Sequence, residues 1–168
     1  MTKDEMIKNS LWQVTIYAAF QRAKIYSDSA TDEDKKALKQ SLKNEVAKII
    51  INYSSPVSEA AHFSNISLIA KNINTEWSFA LSNRAISIGV IQKALNLYLK
   101  LMWCLNEIPE PPHCPLDKVI IDKLAFKHRK SWTKITNIET YEELINQLKE
   151  LSGDKSLAAW ELEEYEKP

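Results

Sequence analysis

The chain has 168 residues, 45% of them hydrophobic, with 22 basic and 22 acidic side chains. That length and apolar share suit one domain with a sizeable core, and the balanced charge excludes a protein that is basic or acidic throughout. Only two glycines occur, Gly89 and Gly153, and no Asn-Gly or Asp-Gly pair, which excludes hairpin-rich sheets and glycine-rich phosphate loops. The expected fold class is all-α, a single compact bundle-like domain of six or seven helices spanning residues 1–168.

A first helix is predicted over residues 3–26, with Met6, Ile7, Leu11, Val14, Tyr17 and Ala18 recurring at helical spacing towards the core and Asp4 and Glu5 in the first turn. SDSATDED breaks it. Thr31 and Asp34 then form a capping-box pattern for a second helix whose core stripe is Leu38, Leu42, Val46, Ile49, Ile50 and Tyr53, ended by Ser54-Ser55-Pro56. A third helix fits residues 58–74, with Phe63, Ile66, Ile69, Ala70 and Ile73 on one face, and TEWSFALSN connects it to a fourth.

The fourth helix starts at Ile86–Val90, runs to Asn106 and is the most buried, with Leu95, Leu97, Tyr98, Leu99, Leu101, Met102, Trp103 and Leu105 around most of its circumference. Four prolines within IPEPPHCP make residues 108–115 a stiff, extended turn. A fifth helix is expected over 116–127 with Val119, Ile120, Leu124 and Ala125 inward. A sixth starts on the Thr140/Glu143 capping box and closes at Ser152-Gly153, and a seventh starts at Asp154 or Ser156 and runs through Leu157, Trp160 and Leu162.

The opening MTKDEMIKNS lacks the basic-then-apolar pattern of a signal peptide, and Lys93 and Lys100 interrupt the longest apolar run, so a soluble, cytoplasmic protein without membrane contact is expected. Cys104 and Cys114 are expected to be reduced. With His113 they supply at most three ligands at no recognised metal spacing, so neither a metal nor a cofactor is expected.

The fourth helix carries a narrow polar stripe of Lys93, Asn96, Lys100 and Glu107, and the proline turn then delivers Asp117. An ammonium on a nearly buried helix either reaches solvent along its own stem or is put to use. Asp117, in turn, either caps the fifth helix or acts beside Lys93. The segment Gly89-Val-Ile-Gln-Lys93, an apolar helix and then Pro115-Leu-Asp117 resembles the catalytic segment of the helix-hairpin-helix DNA glycosylases, the 8-oxoguanine glycosylase group included, over residues 89–117. The resemblance implies that Lys93 is the amine nucleophile that forms a Schiff base with the sugar carbon, and that Asp117 orients or stabilises charge.

Residues 118–134 collect Lys118, Lys123, Lys127, Arg129, Lys130 and Lys134 against Asp122 alone, with Phe126 and Trp132 interleaved. This run either tracks a phosphate backbone or forms the solvated face of a helix and loop. Two functions are therefore expected. One is a helical binding or adaptor domain with a groove around Lys93 and Asp117, where Asn96, Lys100, His113, Lys127, Arg129 and Lys130 contact a protein or nucleic-acid partner. The other is a glycosylase-like nucleic-acid enzyme, or an inactive relative, that uses the same groove.

Overall fold

Seven α-helices form among the described residues, 1–165, of the computed structural model: α1 (Lys3–Phe20), α2 (Asp32–Ile50), α3 (Glu59–Trp77), α4 (Ile88–Cys104), α5 (Lys118–Ile121), α6 (Ile138–Ser152) and α7 (Leu157–Tyr165). These residues form no named strand; Tyr26 and Leu81 make one isolated antiparallel bridge. None of the helices is long and apolar enough to cross a membrane.

The helix starts follow from side chains that accept free N-terminal N–H groups. Thr2 with Glu5 and Thr31 with Asp34 form complete capping boxes on α1 and α2. Ser58 and Ser87 cap α3 and α4. α6 begins on Asn137, whose Oδ1 accepts from Thr140 N at 2.8 Å, so its start lies three residues before the Thr140 predicted from sequence. Gly153, at φ +59°, ends α6, and Asn106, also at φ 59°, follows α4 in the left-handed region that asparagine tolerates.

α4 is the axis of the fold and packs on α1, α3, α6 and the turn at Trp132–Lys134. Every residue from Ile88 to Asn96 is buried, as are Leu99 and Met102, whereas Trp103 is half-buried and Leu105 exposed. The predicted stripes of α2 and α3 face the core, with Leu38, Leu42, Val46, Ile49, Ile66, Ile69 and Ile73 all buried.

Two predicted elements are corrected. α1 buries Trp12, Thr15, Ile16 and Ala19, and leaves Met6, Ile7, Val14 and Tyr17 exposed. The helix is apolar on two faces, and the Trp12 indole, edge-on to Tyr98 of α4 with ring centroids 5.8 Å apart, decides which one docks. α1 also stops at Phe20, because residues beyond it turn to the 80–82 segment, where Ser27 N donates to Ala80 O and Ser82 N to Ile25 O. The predicted fifth helix is a single turn. After Ile121 the chain tightens, with Lys123 N donating to Ile120 O and Leu124 N to Ile121 O, and it then runs in short turns back across α4. Ile120 and Leu124 are buried as predicted, but Val119 and Ala125 are exposed.

That return crosses α4 at Gly89. Gly89 N donates to Ile135 O at 2.9 Å, and a Cβ at Gly89 would overlap the Trp132 carbonyl oxygen. The glycine is therefore required by close approach of two backbones inside the first turn of α4, and it fixes Trp132 over the next turn of that helix.

Candidate functional site

The proline turn is held against α4 by a buried hydrogen-bond network. Gln92 Nε2 donates to Gly89 O and to Leu116 O, while its Oε1 accepts from Leu116 N at 3.0 Å. Asn96 Nδ2 donates to Cys114 O at 3.1 Å and to Tyr141 Oη at 2.9 Å, and Asn96 Oδ1 accepts from His62 Nε2 at 2.8 Å. The proton on each ring follows by elimination. His62 holds its proton on Nε2, so Nδ1 accepts from the Tyr53 hydroxyl at 2.7 Å, which itself accepts from Asn65 Nδ2. Tyr141 donates to His113 Nδ1, which leaves His113 Nε2 to donate to Glu59, the partner of Lys149.

Both histidines are fully buried, and their rings meet edge-to-face with centroids 4.6 Å apart. Burial lowers the His62 pKa to about 3, with the neighbouring His113 adding to the effect, and burial lowers that of His113 to about 4 against the opposing pull of Glu59. The unfolded chain takes up protons at these groups from about pH 6.5 downwards, where the folded chain does not, so their contribution is complete above pH 6.5 and is lost as pH falls towards 4. Melting temperature is expected to fall steadily between pH 7 and pH 5, with a shallower slope in His113→Asn. A flat profile over that range would contradict the assignment. Glu161, whose carboxyl burial pushes upward, works in the opposite direction and only tempers the slope.

The network faces one side of the turn, and the candidate site lies on the other. A cavity of about 320 Å³ opens between the end of α1 (Ala18) and the turn after it (Gln21, Arg22), α4 (Lys93, Leu97, Lys100), the 115–119 segment, Trp132 and α7 (Glu161, Tyr165). Lys93 is 7% exposed, with Nζ 4.3 Å from the centroid of the Trp132 ring. Among the described residues it has no carboxylate within ion-pair distance. Burial lowers its pKa, Asp117 raises it and Arg22 lowers it further, with burial the largest of the three.

Asp117 lines the same cavity without touching Lys93. Its Oδ1 caps α5 by accepting from Ile120 N at 3.1 Å, and its Oδ2 accepts from the Tyr165 hydroxyl at 3.3 Å. Lys100 is engaged as well, 2.6 Å from the nearly inaccessible Glu161 carboxylate and 4.9 Å from the centroid of the Tyr165 ring. A second cavity of about 290 Å³, lined by Arg129, Lys130 and Ile121 among others, shares Arg22, Lys118 and Trp132 with the first.

Of the residues predicted from sequence, Lys93, Lys100 and Asp117 come together in the first cavity, and Arg129 and Lys130 line the second. Lys127 is exposed and lines neither. Asn96 and His113 are corrected as groove contacts, since both are fully buried in the network behind the turn. Within the basic run, Lys118 pairs with Asp122 and Lys123 with Glu164. Arg22, Glu161 and Tyr165 are groove residues that no local sequence pattern announced, and Trp132, read as an aromatic of the basic run, joins them beside Lys93. Cys114 is buried and Cys104 exposed, both as free thiols. Among the described residues, no group of three or more His, Cys, Asp or Glu side chains is placed to hold a metal ion.

The fold and site together define an all-α domain with a partly cationic groove. In comparisons with known proteins, no family model, no curated protein and no solved structure matches the chain. The resemblance over residues 89–117 therefore rests on those residues alone.

Proposed function

We propose that the protein is a helical binding domain of the adaptor type, whose ligand enters the groove between α1, α4 and residues 115–119 and sets an anionic group against the Lys93 amine. Lys93 itself carries the reading. A nearly buried ammonium with an indole face beside it and no carboxylate within ion-pair distance has lost much of its hydration without a direct partner in return. An anion supplied by a ligand completes the set of interactions, and the exposed Arg22 guanidinium on the same cavity adds to the attraction. Asp117, whose Oδ1 caps α5, supplies an acceptor for a ligand hydroxyl.

Pyridoxal phosphate, an aldehyde bearing a phosphate, tests this. Its carbonyl carbon bonds to an unprotonated amine with loss of water, and borohydride then delivers hydride to the imine and fixes the adduct as a secondary amine. Peptide mapping is expected to find Lys93 labelled ahead of the exposed Lys39, with inorganic phosphate suppressing that label. Equal labelling of the two, or no protection by phosphate, would remove the anion reading.

A second reading is favoured by one observation, that burial outweighs Asp117 in setting the Lys93 pKa. A desolvated amine is the form a lysine nucleophile needs. On this reading the groove takes a damaged or abasic nucleotide, Lys93 forms the Schiff base and Asp117 stabilises the positive charge that develops on the sugar. Borohydride trapping on abasic DNA is expected to give a covalent adduct that is lost in Lys93→Ala. Trapping that survives in that variant would reject Lys93 as the nucleophile.

A further inference from the structure

We propose that the two cavities form one trough for single-stranded nucleic acid, with Arg22 at their junction as the main phosphate contact and Phe126 at the outer end as a stacking platform for a base. This rests on reading the Lys93 groove as an anion site and adds the class of molecule that fills it. Continuity comes from the shared walls, since Arg22, Lys118 and Trp132 line both cavities.

Cationic side chains line both cavities, with the acidic Asp117 and Glu161 on the walls of the first and Asp122 on those of the second. Lys93 lies at the inner end, Arg22 in the middle, and Arg129 and Lys130 at the outer end. Among the described residues, none of these four has a carboxylate within ion-pair distance. A lone anion satisfies one such position, whereas a polyanion satisfies them in series and releases counterions at each.

The outer end supplies the second observation. Phe126 is 86% exposed, and the Arg129 guanidinium lies 6.0 Å from its ring centroid, steadied by Arg129 Nε donating to Leu124 O at 2.9 Å. An exposed aromatic ring with a fixed guanidinium beside it offers stacking and cation–π contact to a planar base, which an acidic peptide does not use in the same way. The inner end argues for one strand. Lys93 is nearly inaccessible on its cavity wall, and the stiff, paired backbone of a duplex cannot turn a phosphate inward to reach it. A membrane surface is excluded by the same concavity.

Fluorescence anisotropy with labelled twelve-residue oligo-dT and oligo-U, a hairpin duplex and a poly-glutamate peptide at 50 mM salt tests the proposal. Both single strands are expected to bind, with the duplex and the peptide weaker by about tenfold or more. Arg22→Gln is expected to weaken binding and to reduce the slope of log affinity against log salt by about 0.7. Phe126→Ala is expected to weaken it about fivefold or more with the slope unchanged. Both side chains are exposed, so unchanged circular dichroism and melting temperature would exclude misfolding as the cause.

Absence of single-strand binding at 50 mM salt, equal or tighter binding of duplex or peptide, or indifference to Arg22→Gln would each overturn the proposal. If Lys93 is still labelled by pyridoxal phosphate in a phosphate-sensitive way, the anion site stands and only the strand assignment fails. If that labelling fails as well, the groove reading goes with it.

Discussion

Replacing Gly89 with alanine is expected to destabilise the protein by about 3 kcal/mol, although helix propensity alone predicts the opposite sign. Gly89 lies in the first turn of α4, where alanine in place of glycine favours a helix by about 1 kcal/mol. The added Cβ would overlap the Trp132 carbonyl oxygen, lie 2.7 Å from its carbonyl carbon and 3.3 Å from Ile135 Cβ. Two of these three atoms are backbone, so no rotamer change relieves the clash, and overpacking of a buried site costs about 1–3 kcal/mol or more. Separating the chains also stretches the bond from Gly89 N to Ile135 O and moves the Trp132 ring off Lys93. Urea unfolding is therefore expected to show a large loss, accompanied by slower labelling of Lys93. A gain in stability would mean that the crossing is looser than these contacts require.

Asn96→Leu is expected to cost about 4 kcal/mol. The side chains are similar in size, so the loss is polar rather than steric. Asn96 is the one residue that joins His62, the Cys114 carbonyl and Tyr141, and a buried polar group left without its partner costs about 1–3 kcal/mol. His62 Nε2 and the Cys114 carbonyl lose their partner, while Tyr141 keeps its bond to His113. Chemical denaturation measures the total, and histidine ring NMR reports the local change, since His62 has no acceptor left for its Nε2 proton. A loss under about 1 kcal/mol would mean that water or rearrangement replaces the asparagine. The turn that carries Asp117 is expected to loosen in the same variant.

The sequence made Lys93, Lys100 and Asp117 legible as neighbours for clear reasons. Lys93 and Lys100 are seven residues apart on one helix, and the prolines leave the following turn little freedom. Asn96 was assigned to the same wall because it lies only about 60° round the helix from Lys93. Its partners settle the matter, and they lie 34 and 45 residues away, in His62 and Tyr141. No local pattern carries that information. Arg22 was missed, and Trp132 was read only as an aromatic of the basic run, for a related reason, since each belongs to a short irregular segment whose position is set by where the chain returns to α4. α1 failed differently. Its two apolar faces fit a helix equally well, and only the complementarity of Trp12 to Tyr98 chooses between them. The fifth helix was overdrawn because Val119 and Ala125 extend an apolar period that the fold leaves in solvent.

The groove draws its walls from Ala18 and Tyr165, which are far apart in sequence, with α4 between them. Such a site has no existence in a fragment or in a partly opened chain, so occupancy and global folding are one equilibrium. A ligand present at a hundred times its dissociation constant would add about 2.7 kcal/mol to unfolding of the whole molecule by mass action. Thermal-shift screening of unrelated compound classes can therefore use the protein as its own sensor, without a prior assay of what it does.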